Sequence, residues 1–393
     1  MPRRLTFVLV VALCCLLPVE GKASRLPTLA HDPGVSAATI KLGGVIDQTG
    51  RGTVISTHIL AGYRLAISEV NAHGGINGRK IDFTALSDGY DPSQTLPQLK
   101  QLVESDGVFA VLGVFGSDDA RVAVPYTEQH HVPLFDPIGG GVDIKGKSWV
   151  WQTEPDYGRE GQVIARYLAG SLHARRVGIL FQSGIGEPQR DALRKSLPRY
   201  GASLVDAESY QATDSNLNGQ VLRLRSSNPD VIVLNGTPTP TTSFVQYARL
   251  LGYRPKDGFI ANYPMGDPLW VSLLGPPTAE GVLVSSYADL TGKNAEAKAY
   301  RKAIGLYHGE AYSNYGLYGY FNAGLLFRAL KLAGKHPTRT GLQKVLNTKF
   351  RHLDTGFAGT ITWTATQRFG ARQFKIYRIH NGAFVPITGW LKP

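Results

Sequence analysis

Cysteine is nearly absent from this chain of 393 residues: its two cysteines are adjacent, at Cys14 and Cys15. Two neighbouring cysteines cannot form a disulfide framework, and a cysteine-based zinc site is nearly excluded as well. The chain also has no block of five or more like charges. After residue 17, no stretch is long and apolar enough to span a membrane. These absences exclude a disulfide-stapled scaffold, a charged interaction tail and an integral membrane protein.

The first residues have the pattern of a secretory signal, which predicts that residues 1–23 are removed on export. A basic MPRR precedes the apolar run Leu5–Leu17, and a polar stretch with small residues follows. Gly21 and Ala23 stand at the −3 and −1 positions of a cut before Ser24. Two alternatives stay open, a hydrophobic first strand and a lipoprotein cut before Cys14. We expect the mature chain to be periplasmic and free of cysteine.

The net charge of +12 falls to +10 without residues 1–23, which hold Arg3, Arg4, Lys22 and Glu20. The remaining Lys and Arg residues are scattered along the chain. This distribution indicates a solvated basic surface, and we expect no nucleic-acid partner.

Apolar strands and amphipathic helices alternate along the chain, in which 43% of residues are hydrophobic and 18% charged. The helix after Thr39–Ile46, for example, places Ile55, Ile59, Tyr63 and Val70 on one face. Alternation at this spacing is typical of parallel sheets covered on both faces. About eleven strands exceed one comfortable open sheet, so we expect an α/β fold with two doubly wound lobes. No linker separates the halves, which suggests that the chain crosses between the lobes more than once.

One motif suggests an enzyme and is best rejected. Residues 141–148, GVDIKGKS, match the phosphate-binding pattern G-x-x-x-x-G-K-[ST], the P-loop. In that motif Lys147 would bind phosphate and Ser148 would bind magnesium. That mechanism requires a helix to begin at the Lys-Ser pair. The residues that follow are WVWQTEP, aromatic and β-branched with Pro155 close behind, so no helix is expected there.

Other candidate chemistry is weaker. His130 and His131 are adjacent, so their side chains diverge on a helix, and no second ligand pair has metal-binding spacing. Asp118 and Asp119 stand at the start of a predicted helix, where acids cap free amides and favour the helix dipole. We therefore expect no enzyme activity, no cofactor and no metal.

Longer strings resemble the periplasmic substrate-binding proteins of ABC importers, of the leucine/isoleucine/valine type. The most specific parts are Thr49-Gly50 after the first strand, EVNAHGGINGRKI at residues 69–81, and Asp88 with Asp91-Pro92. Weaker similarity continues through VFAVLGVFGSDDARVAVPYTEQHHVPLFDP, YGLYGYFNAGLLFRAL and FKIYRIHNGAFVPI. Together the strings cover nearly all of residues 39–387.

The resemblance implies a type I periplasmic binding protein, in which two lobes joined by three hinge crossovers close on a solute. We expect crossings near Val150, Ser286 and Phe357. Lobe 1 is then formed by residues 38–150 plus 287–357, and lobe 2 by residues 151–286 plus 358–393.

Ligands of open α/β sheets bind at the carboxyl ends of strands, which points to the loops that follow each strand. Together with the resemblance, this rule predicts ligand-binding residues in both lobes: Asp47, Phe115, Gly116, Ser117, Ile138, Gly139, Gly140, Ile185, Thr237 and Tyr263. The resemblance implies that Ser117 contacts a ligand carboxylate at a helix N-terminus, although a plain N-cap serine explains it as well.

The resemblance also bears on the ligand. Amino-acid binders of this family place an acid in the last lobe 2 loop to pair with the ligand ammonium, and Tyr263 or a neighbour stands there instead. Ile185 replaces a tyrosine that often covers the ligand, and Gly139 and Gly140 replace Ala and Thr. Because an unpaired buried ammonium is costly, a zwitterionic amino acid is put in doubt, and carboxylate-bearing or aromatic solutes become competitive.

The sequence thus favours a non-catalytic, monomeric receptor that delivers a small organic solute, amino-acid-like, carboxylate or aromatic acid, to an ABC permease in the inner membrane. A ligand-sensing regulator on the same fold remains an alternative. A P-loop nucleotide-binding protein, based on the motif at residues 141–148, is the least favoured alternative.

Overall fold

The computed structural model describes Met1, residues 32–214 and residues 216–393, so the predicted signal segment lies outside the described residues except for Met1. The strands follow in chain order: β1 Thr39–Val45, β2 Lys80–Leu86, β3 Ala110–Phe115, β4 Leu134–Ile138, β5 Val150–Trp151, β6 Arg176–Gln182, β7 Ser203–Tyr210, β8 Val231–Asn235, β9 Phe259–Ala261, β10 Leu283–Ser286, β11 Leu353–Thr355, β12 Gly359–Ile361, β13 Lys375–His380 and β14 Ala383–Pro386.

The α-helices alternate with these strands: α1 Thr53–Ala72, α2 Pro92–Lys100, α3 Ser117–Gln129, α4 Tyr157–Arg166, α5 Glu187–Ser196, α6 Asn218–Ser226, α7 Pro238–Leu250, α8 Pro268–Leu274, α9 Pro276–Ala279, α10 Ala295–Tyr307, α11 Asn314–Leu332 and α12 Arg339–Lys349. Short π-helical turns, Gln101–Ser105 and Tyr167–Ser171, extend α2 and α4.

Lobe 1 is built on a five-stranded parallel sheet in the order β2-β1-β3-β4-β5. The side chains of β3 and β4 are buried throughout, as expected for central strands covered by helices on both faces. Helices α1 and α11 cross closely on one face. At Gly62 a Cβ atom would lie 2.0 Å from the carbonyl oxygen of Gly316, so only glycine permits this approach.

Lobe 2 is built on a seven-stranded sheet in the order β14-β13-β10-β9-β8-β6-β7. Strands β6 to β10 are parallel, whereas β13 pairs antiparallel with both β10 and β14. The turn between the last two strands is Asn381-Gly382, with φ of 50° and 75°, as the sequence predicts for a tight hairpin.

Three crossovers join the lobes, in agreement with the predicted architecture, but two lie further along the chain than expected. The first crossing follows β5, at residues 152–155, and the second follows β10. The third lies near residues 368–371, where Gly370 N donates to Gln152 O at 2.7 Å and Ala371 N to Thr153 O at 2.9 Å. The first and third crossings therefore run side by side.

The third crossing is later than Phe357 because an antiparallel hairpin of β11 and β12 stays with lobe 1. Trp363, just after this hairpin, is buried against Phe135 and Phe350, with ring centroids 5.4 and 5.6 Å away. Its indole N–H donates to Gln152 O at 2.9 Å. Strand β12 and the residues up to Trp363 thus belong to lobe 1 and not to the closing strands of lobe 2.

Candidate ligand-binding site

A cavity lies between the lobes at the carboxyl ends of their strands. Its walls are mostly apolar and aromatic, and Glu154 is the one charged side chain among the described residues that line it. The lining comprises Ile55, Ile59, Tyr90, Phe115, Gly116, Ser117, Ile138, Gly139, Glu154, Tyr157, Ile185, Gly236, Thr237, Tyr263, Pro264, Gly266, Ser286, Tyr287, Ala288, Leu290, Asn314, Tyr315, Tyr318 and Phe357.

On the lobe 1 side, the ends of β3 and β4 form a glycine-rich ledge. Ser117 begins α3, and its hydroxyl accepts a hydrogen bond from Gly141 N at 3.1 Å. Gly139 has φ of 134°, and a Cβ atom there would lie 2.4 Å from the Ser117 hydroxyl. The ledge therefore needs glycine at this position, both for its backbone angle and for its contact with Ser117.

The hinge contributes Glu154, three residues after β5. Its carboxylate accepts from Gly139 N at 2.8 Å, from the Tyr287 hydroxyl at 3.3 Å and from the Tyr263 hydroxyl at 3.4 Å. Burial, with a smaller contribution from nearby Asp136, raises the pKa of Glu154 to about 8. A raised pKa means that the neutral acid is the dominant form near neutral pH unless a cation is added.

A second buried acid, Asp136, lies in β4 behind Glu154. Its side chain accepts from the Tyr318 hydroxyl at 2.6 Å and from the Tyr63 hydroxyl at 3.2 Å. Burial raises the pKa of Asp136 to about 7, even though these hydrogen bonds favour the ionised form. Of these two desolvated acids, Glu154 lines the cavity and Asp136 does not.

The lobe 2 side is neutral by comparison. Ile185 and Thr237 reach the cavity from the loops after β6 and β8, and Tyr263 begins a 3₁₀ turn after β9. The backbone of Tyr263 is fixed by Glu160, a fully buried acid whose carboxylate accepts from Tyr263 N at 3.0 Å. Glu160 does not line the cavity.

Aromatic rings line the cavity next to Glu154. Tyr263 lies between two other tyrosines, with centroid distances of 5.2 Å to Tyr157 and 5.0 Å to Tyr287. Across the cavity, Tyr90 packs on Phe115 at 5.7 Å. Such walls suit a ring or a branched apolar group.

Direct hydrogen bonds across the cleft show that the lobes are closed. The Asp267 carboxylate of lobe 2 accepts from the Ser313 hydroxyl at 2.8 Å and from Tyr315 N at 3.0 Å, both at the start of α11 in lobe 1. The same carboxylate caps its own helix by accepting from Leu269 N at 2.7 Å. Asp267 thus caps one helix in each lobe, and only the closed arrangement allows both.

A second contact across the cleft comes from α3. Arg121 donates to Gly184 O of lobe 2 at 2.6 Å and to Gly141 O at 2.8 Å, while also pairing with Asp118. This arginine lies at the cleft rim and not on the cavity lining.

Eight of the ten residues predicted for the site line the cavity, and Asp47 and Gly140 do not. Asp47 is buried and shapes its own loop: its carboxylate accepts from Thr49 N, Gly50 N and Gly52 N at 3.0, 2.6 and 2.7 Å. Gly140 lies behind the lining, where a Cβ atom would meet the Tyr263 hydroxyl at 2.4 Å.

The remaining lining residues were missed for identifiable reasons. Glu154 lies in the first crossing and Tyr157 begins α4, and the loop that follows β5 was not among the loops considered for the site. Tyr315 and Tyr318 lie in the first turns of α11, not in a loop after a strand, so the strand-end rule does not reach them. Tyr90 follows β2 at a strand end and could have been found by the same rule as Ser117.

The structure contradicts the nucleotide-binding motif. Residues 141–148 form a loop that leads into β5, and no helix begins at Lys147 or Ser148. The amide of Ser148 donates to Glu128, and the carbonyl oxygen of Lys147 accepts from Arg368.

Asp118 and Asp119 lie in the first turn of α3, as predicted, but the prediction that they cap the helix is wrong, because α3 has no side-chain cap. Asp118 pairs with Arg121, whereas Asp119 lies against Asp88, with Thr95 donating to both at 3.2 and 2.9 Å. Burial, and the neighbouring Asp88, raise the pKa of Asp119.

The fold and the cleft define a two-lobed binding protein that encloses its ligand. A family model for the periplasmic binding proteins matches residues 39–383, and the chain belongs to this family. In the described residues, we find no helix with the length and apolar character needed to cross a bilayer.

Curated relatives are distant in sequence. Leu/Ile/Val-binding protein homolog 7 of Brucella suis is 24% identical over 232 residues, which cover 56% of this chain and 58% of that protein. Leu/Ile/Val-binding protein homolog 3 of Brucella melitensis is 23% identical over 362 residues, 88% of this chain and 93% of that protein.

Among solved structures, a fatty acid ABC transporter substrate-binding protein from Thermomonospora curvata superposes with a TM-score of 0.83 at 20% identity, covering 93% of this chain and 95% of that chain. At this identity the likeness supports the fold alone.

Proposed function

We propose that this chain is an exported solute receptor that captures a small organic molecule between its lobes and delivers it to an ABC permease in the inner membrane. The observation that carries the proposal is the cavity enclosed by both lobes at the carboxyl ends of their strands. A site assembled from two lobes binds its ligand best when they are closed, so ligand binding and closure are coupled. The closed form is the surface that a permease would recognise.

The cavity walls narrow the solute to one with a ring or a branched apolar body. Tyrosine and phenylalanine rings from both lobes and the hinge surround the space, with Ile55, Ile59 and Leu290 completing the walls. Amino-acid-like, carboxylate and aromatic-acid solutes, the classes that the sequence favours, can each carry such a body. The relatives agree with this breadth, since solved members were described with isoleucine in Streptococcus pneumoniae and with benzoate in Rhodopseudomonas palustris.

A thermal-shift screen of amino acids, aromatic acids, amines, amides and dicarboxylates tests this function. A solute at 100 times its Kd stabilises the folded chain by about 2.7 kcal/mol, which raises the melting temperature by several degrees. Thr237→Trp places a bulky ring in the cavity and should remove the shift. Thr239→Trp is the matched control, since Thr239 is exposed two residues away and is not part of the lining.

The proposal fails if no solute stabilises the chain. It also fails if the best solute stabilises the Thr237→Trp variant as much as it stabilises the unaltered protein, because binding would then lie outside the cleft.

A further inference from the structure

The charge of the cavity is unusual for one in a protein with a net charge of +12. Of the 24 lining residues none is Lys, Arg or His, and Glu154 is the one carboxylic acid among them. Glu154 is 5% exposed. The described walls therefore offer a solute one negative group and no positive side chain.

Every titratable group packed around Glu154 is an acid or a phenol. They come from several elements: Tyr63 on α1, Asp136 on β4, Tyr157 and Glu160 on α4, Tyr263 after β9, Tyr287 after β10 and Tyr318 on α11. Ionised Glu154 has hydrogen-bond donors but no counter-ion among these groups. An ionised acid in such surroundings is costly, and a ligand cation would remove that cost.

The rings beside Glu154 provide a second attraction for a cation. Tyr263 contacts both Tyr157 and Tyr287, and all three line the cavity. A desolvated cation over such ring faces is attracted by the ring quadrupoles.

A solute carboxylate, in contrast, would find the Gly139 amide already used as a donor, and it would be repelled by the acids nearby. The amide of Gly139 already donates to Glu154 Oε2 at 2.8 Å, so the protein's own carboxylate fills that position on the ledge. A further anion would lie near Glu154 and Asp136 without a basic side chain to offset the repulsion.

We propose that Glu154 is the counter-charge of the solute, and that the cleft takes an organic amine with a ring or branched body and no carboxylate of its own. This inference rests on the proposed solute-receptor function and specifies its ligand class. Amino-acid binders of the family place their acid in the last lobe 2 loop, where this chain has Tyr263 or a neighbour. In this chain the acid of the cleft would be Glu154 of the hinge.

The direction of the pH dependence separates this ligand class from the alternatives. An amine that binds ionised Glu154 must displace its proton when the pH is below the pKa of about 8. Affinity should therefore rise with pH, by about 50-fold between pH 6 and pH 8, while the amine itself stays charged. A carboxylate solute that accepts a hydrogen bond from neutral Glu154 would show the opposite trend.

Matched probes give the experiment its contrast. We would titrate the full chain by calorimetry with 2-phenylethylamine, 3-phenylpropanoate and 3-phenylpropanamide, and with the branched set 3-methylbutylamine, 4-methylpentanoate and 4-methylpentanamide. L-Phenylalanine tests a zwitterion. The amine of at least one set should bind most tightly and should release protons, as measured in two buffers of different ionisation enthalpy.

The variant Glu154→Gln keeps the shape of the side chain and removes its charge. We expect it to weaken amine binding by about 30-fold or more and to abolish its pH dependence, while amide binding changes little. Glu280→Gln is the control, because Glu280 is exposed and pairs with His380 away from the cavity.

Tighter binding of a carboxylate or of phenylalanine than of the matching amine would overturn the inference and leave the receptor function standing. Unchanged amine affinity in Glu154→Gln, or no proton release from the unaltered protein, would overturn it as well. No binding by any probe would contradict the receptor function for these scaffolds, and with it the inference.

Discussion

The two lobes carry different kinds of side chain near the strand ends that face the cleft. In lobe 1 and its hinge, the positions just after or at the strand ends carry buried acids: Asp47, Asp88, Asp136 and Glu154. In lobe 2 the corresponding positions carry amides and a hydroxyl: Gln182, Asn235, Asn262 and Ser286. Of these residues only Glu154 and Ser286 line the cavity, so its one carboxylic acid belongs to the hinge, whereas lobe 2 offers neutral, apolar and aromatic contacts.

The amides of lobe 2 have few partners of their own. Within the part of the chain that the structure describes, neither side-chain atom of Asn235 has a hydrogen-bond partner, and Asn262 Nδ2 has none. Buried amides in this situation are commonly satisfied by ordered water. Lobe 1 acids, by contrast, are held by hydroxyls and backbone amides of the protein, so their positions are fixed before a solute arrives.

The largest expected effect is on the pH dependence of stability in the solute-free protein. Glu154 and Asp136 have pKa values of about 8 and 7 when folded, against 4.5 and 3.8 as ordinary values. The folded state then binds more protons than the unfolded state between pH 4 and pH 8, so stability is full at low pH and falls through this window. Each group contributes at most about 1.4 kcal/mol per pH unit.

Denaturant titrations at pH 5, 6, 7 and 8 would measure this slope. Glu154→Gln should make the slope shallower, since it removes one of the contributing groups. A stability that rises from pH 5 to pH 8 would contradict the account of lobe 1 as a site of desolvated acids.

A direct test of the contrast replaces one residue from each lobe by alanine. Asp136→Ala should cost about 3–5 kcal/mol, because it leaves the buried hydroxyls of Tyr63 and Tyr318 without their acceptor. Asn235→Ala should cost about 1 kcal/mol, because no protein group depends on its side chain. Equal costs in chemical denaturation would remove the distinction between the lobes.

The hydrogen bonds of Asp267 across the cleft should affect solute affinity more than the stability of the solute-free protein. Asp267→Ala removes a cap from both α8 and α11, and the second is available only in the closed form. We expect about tenfold weaker solute binding by calorimetry, with about 1 kcal/mol lost from the solute-free protein.

Asp91→Ala is the matched control for Asp267→Ala. Asp91 caps α2 by accepting from Ser93 N at 2.9 Å and contacts no residue of lobe 2 among its hydrogen bonds. It should lose similar stability and keep full affinity. Equal loss of affinity in both variants would show that capping, not closure, explains the Asp267 effect.

The smallest expected effect concerns Arg121 at the rim. Arg121→Met removes the hydrogen bond to Gly184 O across the cleft, and we expect about threefold weaker binding because this side chain is 40% exposed and screened by water. An enhancement of affinity in calorimetry would show that Arg121 opposes closure.

Much of the fold was predictable because periodicity and turn residues agree with the tertiary structure. The first strand, predicted at residues 39–46, is β1, and the helix predicted from the spacing of Ile55, Ile59, Tyr63 and Val70 is α1. The third crossing was not, because nothing in the local pattern of residues 353–363 reveals that Trp363 packs in lobe 1. That information lies in long-range contacts with Phe135 and Phe350.

The candidate site was predictable to the extent that strand ends define it. Ser117, Gly139 and Thr237 follow central strands, and all three line the cavity. Glu154 could not be found in that way, because its burial results from hinge strands that meet only in the folded chain. Asp47 has the right position along the chain, but its carboxylate turns back to accept amides of its own loop.

Closure of the two lobes over a solute is the central claim, and the distance between them tests it most directly. Spin labels at Arg51→Cys and Thr239→Cys, both exposed, place one probe on each lobe in a chain that starts at Ser24 and holds no other cysteine. Double electron–electron resonance measures the distance between the two labels. With a saturating solute, the distance distribution should be shorter and narrower than in the solute-free protein. An unchanged distribution at full saturation would contradict the account.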